Sequence, residues 1–131
     1  MRLLLDTHIW LWSLVNPDRL SPKVSRELEN PENEIWLSPI SVWELLTLAR
    51  KGRVVLNGEP ESWVREALSK VSLKEAWLTH EVVMQSMSLR LSHWDPADRF
   101  LAATAVVYDL TLVTADDRLL RSRQYSTLAN K

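Results

Sequence analysis

Three features of the sequence predict an α/β fold built on a parallel sheet that helices cover on both faces. Short apolar or β-branched runs, LLL at 3–5, EIWLS at 34–38 and LTLVT at 110–114, alternate with longer stretches of helical apolar spacing. Ser21-Pro22, Ser38-Pro39 and Asp95-Pro96 each open such a stretch with a capping side chain followed by a residue preset for the first helical turn. The first run is apolar without alternation, the pattern of a strand buried on both sides.

In chain order, Leu3 to Leu5 form the first strand. THIWLWSLV follows as a helix and ends at Asn16-Pro17. SPKVSRELEN is a second helix, capped by Ser21 and stopped at Asn30-Pro31. EIWLS is the second strand, and a helix over 39–51 follows it, with Ser38 as cap, Pro39 at the first position, Lys51 in the last turn and Gly52 just past the end. ESWVREALSK and THEVVMQSMSLR are predicted helices around a strand from Val71 to Ala76. DPADRFLAATAVVYD is a helix whose alanines 102, 103 and 105 permit close packing on a sheet. LTLVT is a strand, DDRLLRS a helical turn, and Tyr125 to Leu128 a final strand. Alternating strands and helices imply parallel βαβ units.

Composition narrows the function classes. The 131 residues suit one domain, residues 1–131, with no linker and no internal repeat. No signal-peptide pattern or long apolar run is present, and there is no cysteine, so the expectation is a cytoplasmic protein without disulfides, thiolate metal sites or a membrane anchor. A net charge of −1 provides no overall field for a polyanion. Any nucleic-acid contact needs a local basic patch, and the late Arg118, Arg121 and Arg123 are read first as a solvated helix face. His8, His80 and His93 show no metal-ligand spacing and are expected to be ordinary hydrogen-bonded histidines. Trp10, Trp12, Trp36 and Trp43 fall in or beside apolar segments, which favours core packing over base stacking.

Four acids stand out by position. Sites in open parallel sheets form beyond the carboxyl ends of strands, where Asp6 follows the first strand and Asp116 follows LTLVT. Asp98 shares a helix face with Leu101, Ala102 and Ala105, so its carboxylate heads the apolar side and needs a partner. Glu44 interrupts the apolar SVWELLTL. Each also has a plain structural account: Asp6 and Asp116 as helix caps, Asp95 and Asp98 as an acidic capping box favouring the helix dipole, Glu44 as a solvent-facing residue. Their joint placement at one sheet edge favours function. Converging carboxylates repel unless a cation joins them, and an all-oxygen set suits Mg²⁺ or Mn²⁺ rather than Zn²⁺.

The order LLLDTHIWLW, SPISVWELLTLARKGRV, HWDPADRFLAATA and LTLVTADDRL resembles PIN-domain ribonucleases, specifically the VapC-type toxins of toxin-antitoxin modules. The resemblance covers nearly the whole chain. It implies a PIN-like three-layer α/β/α sandwich with a central, mainly parallel sheet. It assigns Asp6, Glu44, Asp98 and Asp116 to an Mg²⁺- or Mn²⁺-binding catalytic cluster, with Thr7, Ser41 and Thr114 in support. Asp95 is taken as a cap or supporting residue, and Asp117 competes with Asp116 for the fourth place. The implied activity is a metal-dependent endoribonuclease acting on transfer or ribosomal RNA, with Arg99 or the late arginines holding the RNA backbone. A homodimer and a cognate antitoxin are the implied partners.

Rivals are weaker. A dehalogenase-like phosphotransferase would place a second Asp where His8 stands, and a receiver domain would need paired acids near the first strand. The non-enzymatic alternative is a catalytically idle PIN-like module that binds RNA or a partner.

Overall fold

The computed structural model describes residues 1–131. Its elements in chain order are β1 (Arg2–Leu5), α1 (Thr7–Val15), a 3₁₀ turn (Pro17–Arg19), α2 (Pro22–Glu29), β2 (Glu34–Leu37), α3 (Pro39–Arg50), α4 (Pro60–Lys70), β3 (Lys74–Glu75), α5 (His80–Ser88), α6 (Pro96–Tyr108), β4 (Thr111–Thr114), α7 (Asp117–Leu120) and β5 (Ser126–Ala129). The strands form one sheet in the order β3-β2-β1-β4-β5, and every neighbouring pair is parallel. From β1 the chain builds outward through β2 and β3, then crosses back to place β4 and β5 on the other side. The sheet therefore reverses its strand order between β1 and β4, the position at which parallel sheets open a crevice.

The LLL run is continuous because both faces of β1 are buried. Leu3 and Leu5 pack with Ile9, Trp10, Val24, Leu45 and Val64 on one face, while Leu4 packs with Leu101, Ala105 and Leu112 on the other. Full burial of each such leucine stabilises the fold by about 1.5–3 kcal/mol relative to exposure. Helix α6 is central to the second face: Leu101 and Ala105 meet the sheet, and Ala102 and Ala103 meet Val82 and Leu89 of the α5 layer. The sheet thus lies between two helical layers, as an α/β/α sandwich.

The caps act as their spacing predicts. Ser21 accepts from Val24 N, Ser38 from Ile40 N and Asp95 from Asp98 N, each with proline at the helix start. Gly52 follows the end of α3 with φ +74°, a left-handed conformation that glycine adopts without a Cβ clash. Two strands depart from expectation. The predicted Val71–Ala76 strand is only Lys74–Glu75, because Val71 is half exposed and the edge strand pairs on one side alone. The last strand is Ser126–Ala129, one residue later than expected. Among the tryptophans, Trp10 is core, but Trp43 is 58% exposed, outside the core that its apolar neighbours suggest. No helix is long and apolar enough to cross a membrane.

The buried alanine surface of α6 constrains how closely the helix sits on the sheet. Ala105→Leu is expected to lower stability by about 1–3 kcal/mol through overpacking against Leu4 and Leu112. Val107→Ala, on the open side of the same helix, is expected to change it by no more than about 0.5 kcal/mol. Urea unfolding of the two variants measures the contrast.

Candidate metal centre

Asp6 leaves β1 at the strand-order reversal. Its backbone N–H donates to Val113 O of β4 at 3.0 Å, which continues the sheet one residue past the strand end. Its carboxylate caps α1, accepting from Thr7 N at 2.7 Å through Oδ1, and accepts from the Thr114 hydroxyl at 2.6 Å through Oδ2. The Thr114 hydroxyl in turn accepts from Asp116 N at 3.0 Å. The strand end of β4 is thereby tied to both acids. Thr7 Oγ1 donates to Ser41 Oγ at 3.0 Å, joining the start of α1 to α3, one turn from Glu44.

These connections form an open basin of about 410 Å³ lined by Asp6, Glu44, Asp95, Asp98 and Asp116, together with His8, Trp12, Ala115 and Arg118. The four acids singled out in the sequence therefore face one space, and the capping roles of Asp6 and Asp116 coexist with that placement. Asp117 turns outward and pairs with Lys131 at 2.7 Å, so Asp116 is the acid of this loop that lines the basin. Asp95 lines it too while capping α6. Arg99 does not line it. Its guanidinium is buried and donates to Ser86 O and Leu89 O, with Trp94 stacked on its outer face, so it clamps α5 to α6 and is not available to a substrate. The expectation that Arg99 contacts RNA is corrected by this burial.

Two residues at the site do more than the sequence suggests: His93, expected as an ordinary hydrogen-bonded histidine, and Arg118, read first as part of a solvated helix face. His93 Nε2 lies 2.8 Å from Asp98 Oδ2, while its buried Nδ1 has no partner. Arg118 grips Asp116 with Nε 3.2 Å from Oδ1 and Nη2 3.0 Å from Oδ2. The most compact set of possible ligand atoms is His93, Asp98 and Asp116, all within 4.8 Å of one another. Because His93 already holds Asp98 through Nε2, it orients that carboxylate and is not itself the natural donor to a hard cation. Only the short H-x-D-P spacing before Asp98 hinted at His93.

Electrostatics test the fit of a cation. Burial pushes the Asp98 carboxyl up to about 6, against the relief of the His93 contact and with further repulsion from Asp95, Asp6 and Asp116. Burial also raises Asp6, against its bond from Thr114, and raises Glu44, with repulsion from Asp6 and Asp95 added. Burial opposes ionisation of Asp116 as well, but the Arg118 guanidinium and backbone N–H outweigh it and hold this acid below the ordinary range. Oxygen donors converge here, and burial and mutual repulsion disfavour the charged forms of Asp6, Glu44 and Asp98. A divalent cation supplies what that donor set lacks, so the residues present fit one.

For the metal-free protein the raised Asp98 fixes the sign of a pH effect. The folded state keeps a proton that the unfolded chain releases, so this group's contribution falls as pH rises from about 4 to about 6. Asp98→Asn removes that loss. In EDTA the variant is expected to gain on wild type near neutral pH, by up to about 3 kcal/mol, and to gain much less near pH 4. Urea unfolding at the two pH values checks this.

Comparison with known proteins agrees with the geometry. Residues 3–123 match the PIN domain family. The chain is 35% identical over 121 residues to Ribonuclease VapC22 of Mycobacterium tuberculosis, an alignment covering 92% of this chain and 91% of that protein. In fold it is similar to a chain of VapBC2 from Rickettsia felis bound to a promoter DNA fragment, with TM-score 0.71, 19% identity and 98% of each chain covered. It is also similar to a chain of a toxin-antitoxin complex from Klebsiella pneumoniae, with TM-score 0.67, 22% identity and 98% of each chain covered. With its parallel sheet, its acidic basin at the β1/β4 reversal and a relative matched over nearly its full length, the chain belongs to the PIN domain family, among its VapC-type members.

Proposed function

We propose that this protein is a divalent-metal-dependent endoribonuclease, the toxin of a type II toxin-antitoxin pair. The observation that carries the reading is the convergence of Asp6, Glu44, Asp98 and Asp116 on one open basin at the sheet's switch point. Asp6, Asp98 and Asp116 would hold Mg²⁺ or Mn²⁺, which supplies Lewis-acid charge and an activated water for in-line attack on an RNA phosphodiester, leaving a 5′-phosphate and a 3′-hydroxyl. Thr114 and the Thr7 N–H fix both oxygens of Asp6, and His93 fixes Oδ2 of Asp98, so these carboxylates are preorganised. Glu44 stands half-buried across the basin with its carboxyl pushed up by burial, suited to accept a proton from the attacking water.

The relatives support the rest of the reading. VapC22 is named a ribonuclease, which favours RNA as substrate, and the Klebsiella structure is a toxin-antitoxin complex, which favours a cognate antitoxin as partner; transfer or ribosomal RNA is the substrate that the family resemblance implies. Residues 1–131 form one domain in this reading, and the protein works in the cytoplasm. A homodimer is supported by the apolar groove that exposed Trp43 and Leu78 form with Ile40 and Phe100. Light scattering is expected to give a dimer mass, and a monomer at micromolar concentration would count against it.

The activity is tested with total cellular RNA and purified protein in Mn²⁺ or Mg²⁺. Discrete cuts are expected, abolished by EDTA and reduced by at least about a hundredfold in Asp6→Asn and Asp98→Asn. Equal cutting by wild type and variants would refute the site. Absence of cutting by folded, metal-supplied wild type would favour a module that binds RNA or a partner without cleaving.

A further inference from the structure

We propose that Arg118 is the resident counter-ion of the metal-free basin, and that its guanidinium must leave Asp116 for a divalent cation to bind there. The inference rests on the reading of the basin as a divalent-metal site.

The geometry is that of a fork closed on one acid and leaning toward a second. Nε and Nη2 engage the two oxygens of Asp116 at 3.2 and 3.0 Å, and Nη2 lies 3.9 Å from Oδ2 of Asp98. One positive group thus spans acids from two elements, the loop after β4 and the first turn of α6. Among the residues lining the basin there are five carboxylates, and Arg118 is the one arginine or lysine. It reaches this place by local sequence. Asp116 caps α7 by accepting from Arg118 N at 2.8 Å, so a residue two positions after the acid starts its side chain at the rim.

Competition follows from the shared lone pairs. A bidentate guanidinium directs an N–H at each oxygen of Asp116, and direct coordination of a hard cation needs at least one of those oxygens. The two positive groups also repel at contact distance. Displacement is easy in structural terms: the Arg118 side chain is 49% exposed, and its side-chain contacts are with these two acids. Metal loading is therefore an exchange of one cation for another, and the basin avoids bare repulsion between Asp98 and Asp116 when no metal is present.

The test uses full-length, EDTA-stripped protein and Mn²⁺ alone as probe, followed by calorimetry. Arg118→Ala is expected to bind Mn²⁺ about fivefold more tightly than wild type, the affinity ratio that corresponds to a half-exposed ion pair. Arg118→Lys, with the charge but not the fork, should fall between. Arg121→Ala, which removes an exposed arginine of the same segment that does not line the basin, controls for net charge and should leave affinity near wild type. In nitrogen-edited NMR, the Arg118 Nε–H signal should be protected from exchange without metal and lose that protection at saturating Mg²⁺. Equal or weaker Mn²⁺ binding by Arg118→Ala, an equal gain in Arg121→Ala, or an Nε–H that stays protected with metal bound would each overturn the proposal while leaving the metal site standing. If folded wild type and Arg118→Ala both take up no Mn²⁺, the metal reading itself fails, and the proposal with it.

Discussion

The parallel pairing of β1 with β4 aligns Leu5 with Val113, and the next residue on each strand is Asp6 and Thr114. Their 2.6 Å hydrogen bond links residues 108 positions apart, and the site is assembled around it. One hydroxyl donates to Asp6 and accepts from Asp116 N, so a single side chain sets both acids at the mouth of the sheet. The pairing depends on burial of Leu3, Leu4 and Leu5 between two helical layers, since a slip by one residue would exchange the faces that these leucines fill. Packing at the centre of the sheet and carboxylate placement at its edge are consequences of the same register.

That arrangement carries an electrostatic cost, which the fold meets with short-range contacts. Asp6 is buried and accepts two hydrogen bonds, Asp98 is buried and held by His93, and Asp116 is held by Arg118. Each acid therefore has a different partner type, and their proton affinities separate accordingly: burial prevails at Asp6 and Asp98, while at Asp116 burial is outweighed by the Arg118 guanidinium and backbone N–H together. The stability required to hold them comes from elsewhere, chiefly the apolar contacts of α1, α2 and α4 on one face and α6 on the other. A site built this way favours binding positive charge, because buried carboxylates repel one another until a cation joins them.

Arginines show how position overrides composition. Arg99 follows Asp98 directly, yet the helix turns it away from the basin into a buried clamp on the carbonyls of Ser86 and Leu89. Arg118, one of three arginines in a segment resembling a solvated helix face, is the one whose cap geometry brings it into the site. Arg121 has no such contact, although it lies on the same short segment.

Local signals determined much of this protein without tertiary information. The Ser-Pro and Asp-Pro starts located α2, α3 and α6, because capping and proline geometry act within one turn, and the unbroken LLL run announced a strand buried on both faces. The same locality placed Asp6 and Asp116 at strand ends and Asp98 on the apolar side of its helix. What the sequence left open was decided by contacts between segments far apart in the chain. The edge strand shrank to two residues because it has a neighbour on one side only, and Trp43 stayed exposed although it lies in a largely apolar segment. Asp116 rather than Asp117 faces the basin because the Thr114 hydroxyl holds its N–H and it caps α7, whereas Asp117 lies exposed and pairs with Lys131. His93 meets Asp98 only because the segment before α6 folds back over its first turn. Periodicity and capping are local and leave a pattern in the sequence, whereas the direction of a single polar side chain depends on which distant partner the fold brings to it.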